Sequence, residues 1–253
     1  MRLGRLGHSE AALASAPQLG THRFAAMPPP PALDRASVPF QPRLFDNDTL
    51  PDCTAAALAN AALAVSALNG FETALDDAAV PSFYAACIGM PGATATQLAV
   101  TQGAIALDVL ARQLTDGFDV GQAAPLSGLY GVLALAPSAL ATALAHLGPG
   151  YWGVTLTARD MDNAESAAPW DDDGSTDPGP VAGGHMLMAW DYAGLAETDT
   201  LRLATWGRFK SATWRWVRRR LDEAYGLVWR QLSTVSGTDL GVDVARLEAE
   251  LRA

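Results

Sequence analysis

Residues 54–69 carry no charge and are apolar on nearly every face at helical spacing, the pattern of a helix buried at the centre of a domain. Gly70 ends that run. Residues 71–88 keep a helical period that Pro81 divides. Residues 94–114 predict a further helix closed by Asp116-Gly117, and residues 137–147 a short one with proline in its first turn and Gly148 beyond its end. The pattern then changes. Residues 151–157, 185–192, 201–206 and 225–232 are short apolar runs rich in β-branched and aromatic side chains, which predict strands. Between the last two, Ser211 or Thr213 is placed to cap a helix reaching about Glu223. Residues 239–251 predict a short amphipathic tail helix. Helices first and strands later predict an α+β domain: a helical first half with a buried central helix, and an antiparallel sheet in the second half.

The first forty residues follow no sustained period and contain Pro28-Pro29-Pro30-Pro31. Such a tetrad favours an extended polyproline arm without hydrogen bonds of its own. The expected organisation is therefore an extended Pro-rich arm over 1–40 and one domain over 41–253 that includes the tail helix. On this reading the arm is ordered by a partner, and deleting it leaves the melting of the domain unchanged. No internal repeat is visible.

Composition narrows the function classes. The chain has 253 residues, 49% apolar and 17% charged, which suits a globular protein. A net charge of -10 argues against nucleic acid as the partner. Arg215, Arg218, Arg219 and Arg220 surround Trp214 and Trp216, and are expected to form a solvated helix face paired with Asp222 and Glu223. Residues 1–20 place Arg2 and Arg5 before Ala14-Ser15-Ala16, but His8, Ser9 and Glu10 interrupt the apolar stretch a signal peptide needs. The uncharged run 123–145 is divided by Pro125, Gly128, Gly131 and Pro137, and predicts a strand and a helix rather than a membrane span. Two cysteines and four histidines exclude a disulfide scaffold and a Cys-rich metal site, and no cofactor is expected.

Cys53 is the most informative position. It follows the turn-like stretch 47–52 and opens the predicted central helix, where the N-terminal N–H groups favour a thiolate. His185 follows Gly183-Gly184 at the start of a predicted strand and is placed to serve as its base. Cys87, among Tyr84, Ala85, Ala86 and Ile88, reads as a core residue. Asp171-Asp172-Asp173-Gly174 reads as a solvated loop.

Asp52-Cys53-Thr54, Gly183-Gly184-His185 and Ala204-Thr205-Trp206-Gly207, in that order and spacing, resemble the motifs of papain-like cysteine peptidases. The resemblance spans about residues 47–206. It implies a papain-like fold, a Cys53–His185 pair acting on peptide or amide bonds, and an oxyanion held by the Cys53 N–H and the amide of Asn47. The family's orienting asparagine falls on Ala204, so Thr205 is the expected substitute. Asp52 places a carboxylate beside the nucleophile, and Pro51 replaces a glycine. These departures imply weak activity. Together with Asp222-Glu223-Ala224-Tyr225, the segments also resemble papain-like proteins of bacteriophages and prophages, which implies a virion or host-cytoplasmic location. Three functions follow from the resemblance: a phage-encoded hydrolase of peptide or protein substrates, an inactive virion or attachment protein that contacts other phage proteins through its arm, and a cell-wall amidase.

Overall fold

A computed structural model describes residues 1–19, 28–70, 74–118, 128–229 and 249. In chain order the elements are β1 (Arg5–Leu6), α1 (Glu10–Ser15), α2 (Cys53–Leu68), α3 (Ala79–Cys87), α4 (Ala95–Ala99), β2 (Ala104–Ile105), α5 (Ala106–Asp116), β3 (Gly128–Val132), α6 (Pro137–Leu147), β4 (Gly150–Thr157), α7 (Ala158–Asp162), β5 (Val181–Tyr192), β6 (Thr200–Thr205), β7 (Arg208–Thr213), α8 (Trp214–Arg220) and β8 (Leu221–Trp229). Helices dominate the first half and strands the second, as the patterning predicts.

The sheet runs β2-β1-β5-β4-β8-β3, with β6 paired to β5 and β7 to β6. All pairs are antiparallel except β1 with β2. α2 packs on β5 through apolar side chains: Ala57, Leu58, Ala61 and Val65 share one core with Met186, Met188 and Trp190. Alanine on almost every face lets the backbone of α2 approach the sheet closely and still favours the helix. Tyr151 ties β4 to the first turn of α2 through its hydroxyl, which donates to the Thr54 carbonyl at 3.0 Å. A second core lies on the other side of the sheet, where Trp152, Trp170, Trp214 and Trp216 are buried together.

Several expectations are corrected. Residues 94–114 are not one helix. Thr94 caps α4 in a reciprocal box with Gln97, and the chain then turns at Gly103, whose φ is 116°. That break frees Ala104 and Ile105 to pair with β1. Pro81 does not divide a helix; it lies in the first turn of α3, where no intrahelical N–H is required. β7 pairs along its whole length with β6, and the patterning does not predict it because Arg208, Lys210 and Ser211 break the apolar run. The arginines of α8 pair with Asp171, Glu197, Asp172 and Asp160, not with Asp222 and Glu223. The tail helix lies outside the described residues apart from Ala249.

The largest correction concerns the arm over 1–40. Its described residues do not stand apart from the domain. Arg5 and Leu6 form a strand inside the sheet, Leu19 is wholly buried, and Leu33 bridges Tyr192 in the antiparallel sense. The proline tetrad itself is fixed by Tyr192, whose hydroxyl donates to the Pro30 carbonyl at 2.8 Å. A segment without a period can still be built in when its backbone, rather than one face of its side chains, makes the contacts.

Candidate active site

Cys53 begins α2 where a tight loop turns into the helix. Phe45 and Asp46 take positive φ in that loop, and Asn47 closes it. The Asn47 Nδ2 donates to the Leu50 carbonyl at 3.3 Å and to Asp52 Oδ1 at 3.0 Å. The amide expected to hold an oxyanion is therefore committed to Asp52. The reason is burial: Asp52 is 0% exposed and its carboxyl is pushed up to about 8. At neutral pH it is mostly uncharged, which corrects the expectation of a carboxylate beside the nucleophile.

This burial has a measurable consequence. The folded state holds the Asp52 proton more tightly than the unfolded chain does. Its contribution to stability is full below about pH 4 and is lost as the pH rises toward 8. His185 has the opposite sign: burial pushes it down to about 3 from 6.5, so its contribution is full above pH 6.5 and is lost as the pH falls toward 3. The two oppose each other below pH 6.5, and above it only Asp52 changes. We expect urea unfolding to show a fall of about 2 kcal/mol between about pH 6.5 and 8, and Asp52→Asn to flatten it. A slope unchanged in Asp52→Asn would assign the loss to another group.

His185 stands on β5 opposite Val154 of β4. Its Nε2 is 2.7 Å from Thr205 Oγ1, and its ring stacks on Trp206 with centroids 4.3 Å apart and planes 20° apart. Thr205 ends β6. Trp206 and Gly207 then form a two-residue turn with φ of 45° and 72°, the mirror-image geometry that joins twisted strands. That turn brings Thr205 to one nitrogen of His185 and the Trp206 indole onto its face. Ala204 instead lines a cavity of about 10 Å³ with Cys53, Ala57 and Met186, room for about one water molecule.

The Cys53 sulfur meets β5 one residue beyond His185. It accepts the Met186 N–H at 3.4 Å. His185 Nδ1 is buried and makes no hydrogen bond among the described residues, so imidazole and sulfur are neighbours along the strand but are not hydrogen-bonded. Burial pushes the thiol up to about 12, ahead of the opposing effect of the Met186 N–H. Both groups are thus neutral near pH 7. The helix N-terminus alone does not yield the thiolate the sequence suggested.

The N-terminal segment runs beside this pair, a placement that sequence reasoning did not connect with the site. Arg2 N–H donates to the Asn47 carbonyl at 3.3 Å, and the Arg2 carbonyl accepts from Trp206 Nε1 at 3.2 Å. The Gly4 carbonyl accepts from Ala104 N–H at 2.8 Å. Arg5 pairs with Ala104 on one side and Gly184 on the other. Its guanidinium reaches Glu223 Oε1 at 2.7 Å, Asp222, the Val154 carbonyl at 3.2 Å and Thr155 Oγ1 at 3.3 Å. Arg2-Leu3-Gly4 and Arg5-Leu6-Gly7 are successive like triplets, a signal too short to stand out as a repeat. Asp222 and Glu223, expected to pair with the arginines of α8, pair with Arg5 instead.

No family model matches this sequence, and no curated protein is similar to it in sequence. Solved structures are similar in fold. Xylellain, a cysteine protease from Xylella fastidiosa, matches at 15% identity and TM-score 0.59, over 89% of this chain and 91% of its own. ProCathepsin B S9 from Trypanosoma congolense matches at 12% identity and TM-score 0.63, over 90% and 87%. Procathepsin L 3 of Tenebrio molitor larval midgut matches at 12% identity and TM-score 0.56, over 86% and 77%. The fold is that of papain-like cysteine proteases.

Proposed function

We propose that this papain-like chain is a cysteine hydrolase of peptide or amide bonds, with Cys53 as nucleophile, His185 as base and acid, and Thr205 as the group that orients His185. One observation carries the reading: Thr205 occupies Nε2, leaving Nδ1 as the free nitrogen of an imidazole that adjoins the sulfur's contact on β5. With Nε2–H donating to Thr205, the Nδ1 lone pair is available to accept the thiol proton. Sγ then attacks the carbonyl carbon, and His185 passes the proton to the departing amine as the bond to nitrogen breaks. Water, deprotonated by His185, releases the acyl group from sulfur. The N–H of Cys53, in the first turn of α2, has no partner within the helix and is the nearest donor for the oxyanion. Asn47 joins it only by releasing Asp52.

Within this reading, the Asp-Cys, Gly-Gly-His, Thr-Trp-Gly and Asp-Glu-Ala-Tyr segments support a phage- or prophage-encoded enzyme located in the virion or the host cytoplasm. No helix among the described residues is long and apolar enough to cross a membrane. The covered, neutral Cys53 and His185 favour one second reading: an inactive papain-like virion protein.

Fluorogenic peptides and denatured casein incubated with the purified chain separate the two. The expected result is slow hydrolysis that Cys53→Ala abolishes without changing the melting transition. Hydrolysis undiminished in Cys53→Ala would remove the mechanism. No hydrolysis by the chain would favour the structural reading.

A further inference from the structure

The geometry points to a binding pocket for a small apolar monocarboxylate, of the class of a medium-chain fatty acid, at the end of α2 remote from Cys53. The inference does not rest on the hydrolase reading.

The pocket lies where distant parts of the chain converge. Val65 and Leu68 come from the last turns of α2, Leu147 from the end of α6, Leu227 and Trp229 from the end of β8, and Arg35 from the N-terminal forty residues. Cys53 opens the same helix, so the pocket stands about 20 Å from it along the axis. Its volume is about 240 Å³. Drug-sized ligands take roughly 300–1,000 Å³, so this space suits a short chain rather than a larger molecule.

The walls are mostly apolar, and the one charged side chain among the lining residues is Arg35. It is 7% exposed. Its Nη1 donates to the Trp190 carbonyl and its Nη2 to the Leu144 carbonyl, both at 2.6 Å. The guanidinium carbon also lies 4.9 Å from the centre of the Trp190 ring. These partners fix the group in place but carry only partial charge. Leu144 lies in the last turn of α6, whose carbonyl end favours a cation without neutralising it.

The charge therefore lacks a counterion. Asp191 accepts the Arg35 backbone N–H at 3.2 Å, but its carboxylate is forked by Arg202, with Nε at 2.8 Å from Oδ1. Two cations thus share one anion. Burial lowers the Arg35 guanidinium to about 10, ahead of the opposing effect of Asp191. A guanidinium has five N–H donors, and three of these have no partner among the described residues.

These features select the ligand. A planar carboxylate matches the fork of a guanidinium and supplies one negative charge for one positive charge. A dianionic phosphate would leave its second charge among apolar walls, which is costly. An aliphatic body fills the space between Val65, Leu68, Leu147 and Leu227. The guanidinium is already ordered by α6 and β5, and Leu33 is bridged to Tyr192, so binding does not have to order the site.

Isothermal titration of the full chain with octanoate, octanol and octylamine tests this. Octanoate should bind saturably and about 10-fold or more tightly than octanol, the difference expected of hydrogen bonds to a charged group. Octylamine should not bind. Ala145 is half-buried in the pocket wall, and Ala145→Trp should fill the space and weaken octanoate about 10-fold or more with Arg35 still present. Arg35→Met should reduce octanoate to the affinity of octanol. If that variant lacks a cooperative melt, the filled pocket and the three ligands on the unsubstituted chain decide. Equal affinity for octanoate and octanol, octanoate binding unmoved by Ala145→Trp, or no saturable binding would overturn the inference. So would octanoate acting only by dissociating a dimer, which would give the pocket to a second copy of the chain.

Discussion

Arg5→Ala is expected to lower the unfolding free energy by about 3–5 kcal/mol, the range for stripping one partner from a buried ion pair. The loss arises less from the missing attraction than from what remains. Glu223 stays buried, with the Tyr225 hydroxyl at 2.5 Å and His8 Nε2 at 3.4 Å as its remaining partners. A second substitution, Glu223→Gln, should recover much of the loss when combined with Arg5→Met, since no uncompensated buried charge is then left and Asp222 is exposed to water. Urea denaturation of the three variants at one pH measures this directly. Were the N-terminal residues an arm outside the domain, Arg5→Ala would leave the transition in place.

Thr205→Val should cut hydrolysis by about 10²- to 10⁴-fold relative to the unsubstituted chain. Valine keeps the shape and removes the only hydrogen bond made by the His185 ring among the described residues. The imidazole then loses the tautomer that presents a lone pair at Nδ1. Thr205→Ser keeps the hydroxyl and should retain most of the rate. A pH profile supplies a readout that simple unfolding would not move, because the valine variant should alter the limb governed by the imidazole. Ala204→Asn, at the family's position for the orienting side chain, is not expected to raise the rate. Thr205 already holds Nε2, and the cavity beside Ala204 is about 10 Å³, too small for the added amide. Equal rates for wild type and Thr205→Val would show that Thr205 does not position the base.

The segments that could be read from sequence were those whose own pattern determines their state. Residues 54–69 are uncharged and alanine-rich, and α2 is the buried helix they predict. Residues 137–147 carry a first-turn proline and a following glycine, and α6 has those bounds. β4, β5 and β6 follow the apolar runs to within a few residues, because a strand covered on both faces needs apolar side chains at successive positions. The order of Cys53, His185 and Thr205-Trp206 along the chain singled out residues that the fold brings together, since Thr205 meets His185 and Cys53 meets the next residue of β5.

Tertiary structure alone decided what those residues do. Thr205 rather than Ala204 reaches His185 because of the turn at Trp206 and Gly207, and the backbone twist of a hairpin is not written in the identity of its neighbours. The ionisation of Cys53, His185 and Asp52 depends on how completely they are removed from water, and the groups that remove them lie far away in sequence. Arg2, Gly4 and Arg5 reach Asn47, Trp206, Ala104 and Gly184 around the site through their backbone, and such contacts leave no hydrophobic period. A segment that binds by its main chain looks, in sequence, like one that binds nothing; only its partners in the sheet and the buried carboxylate of Glu223 give it a place.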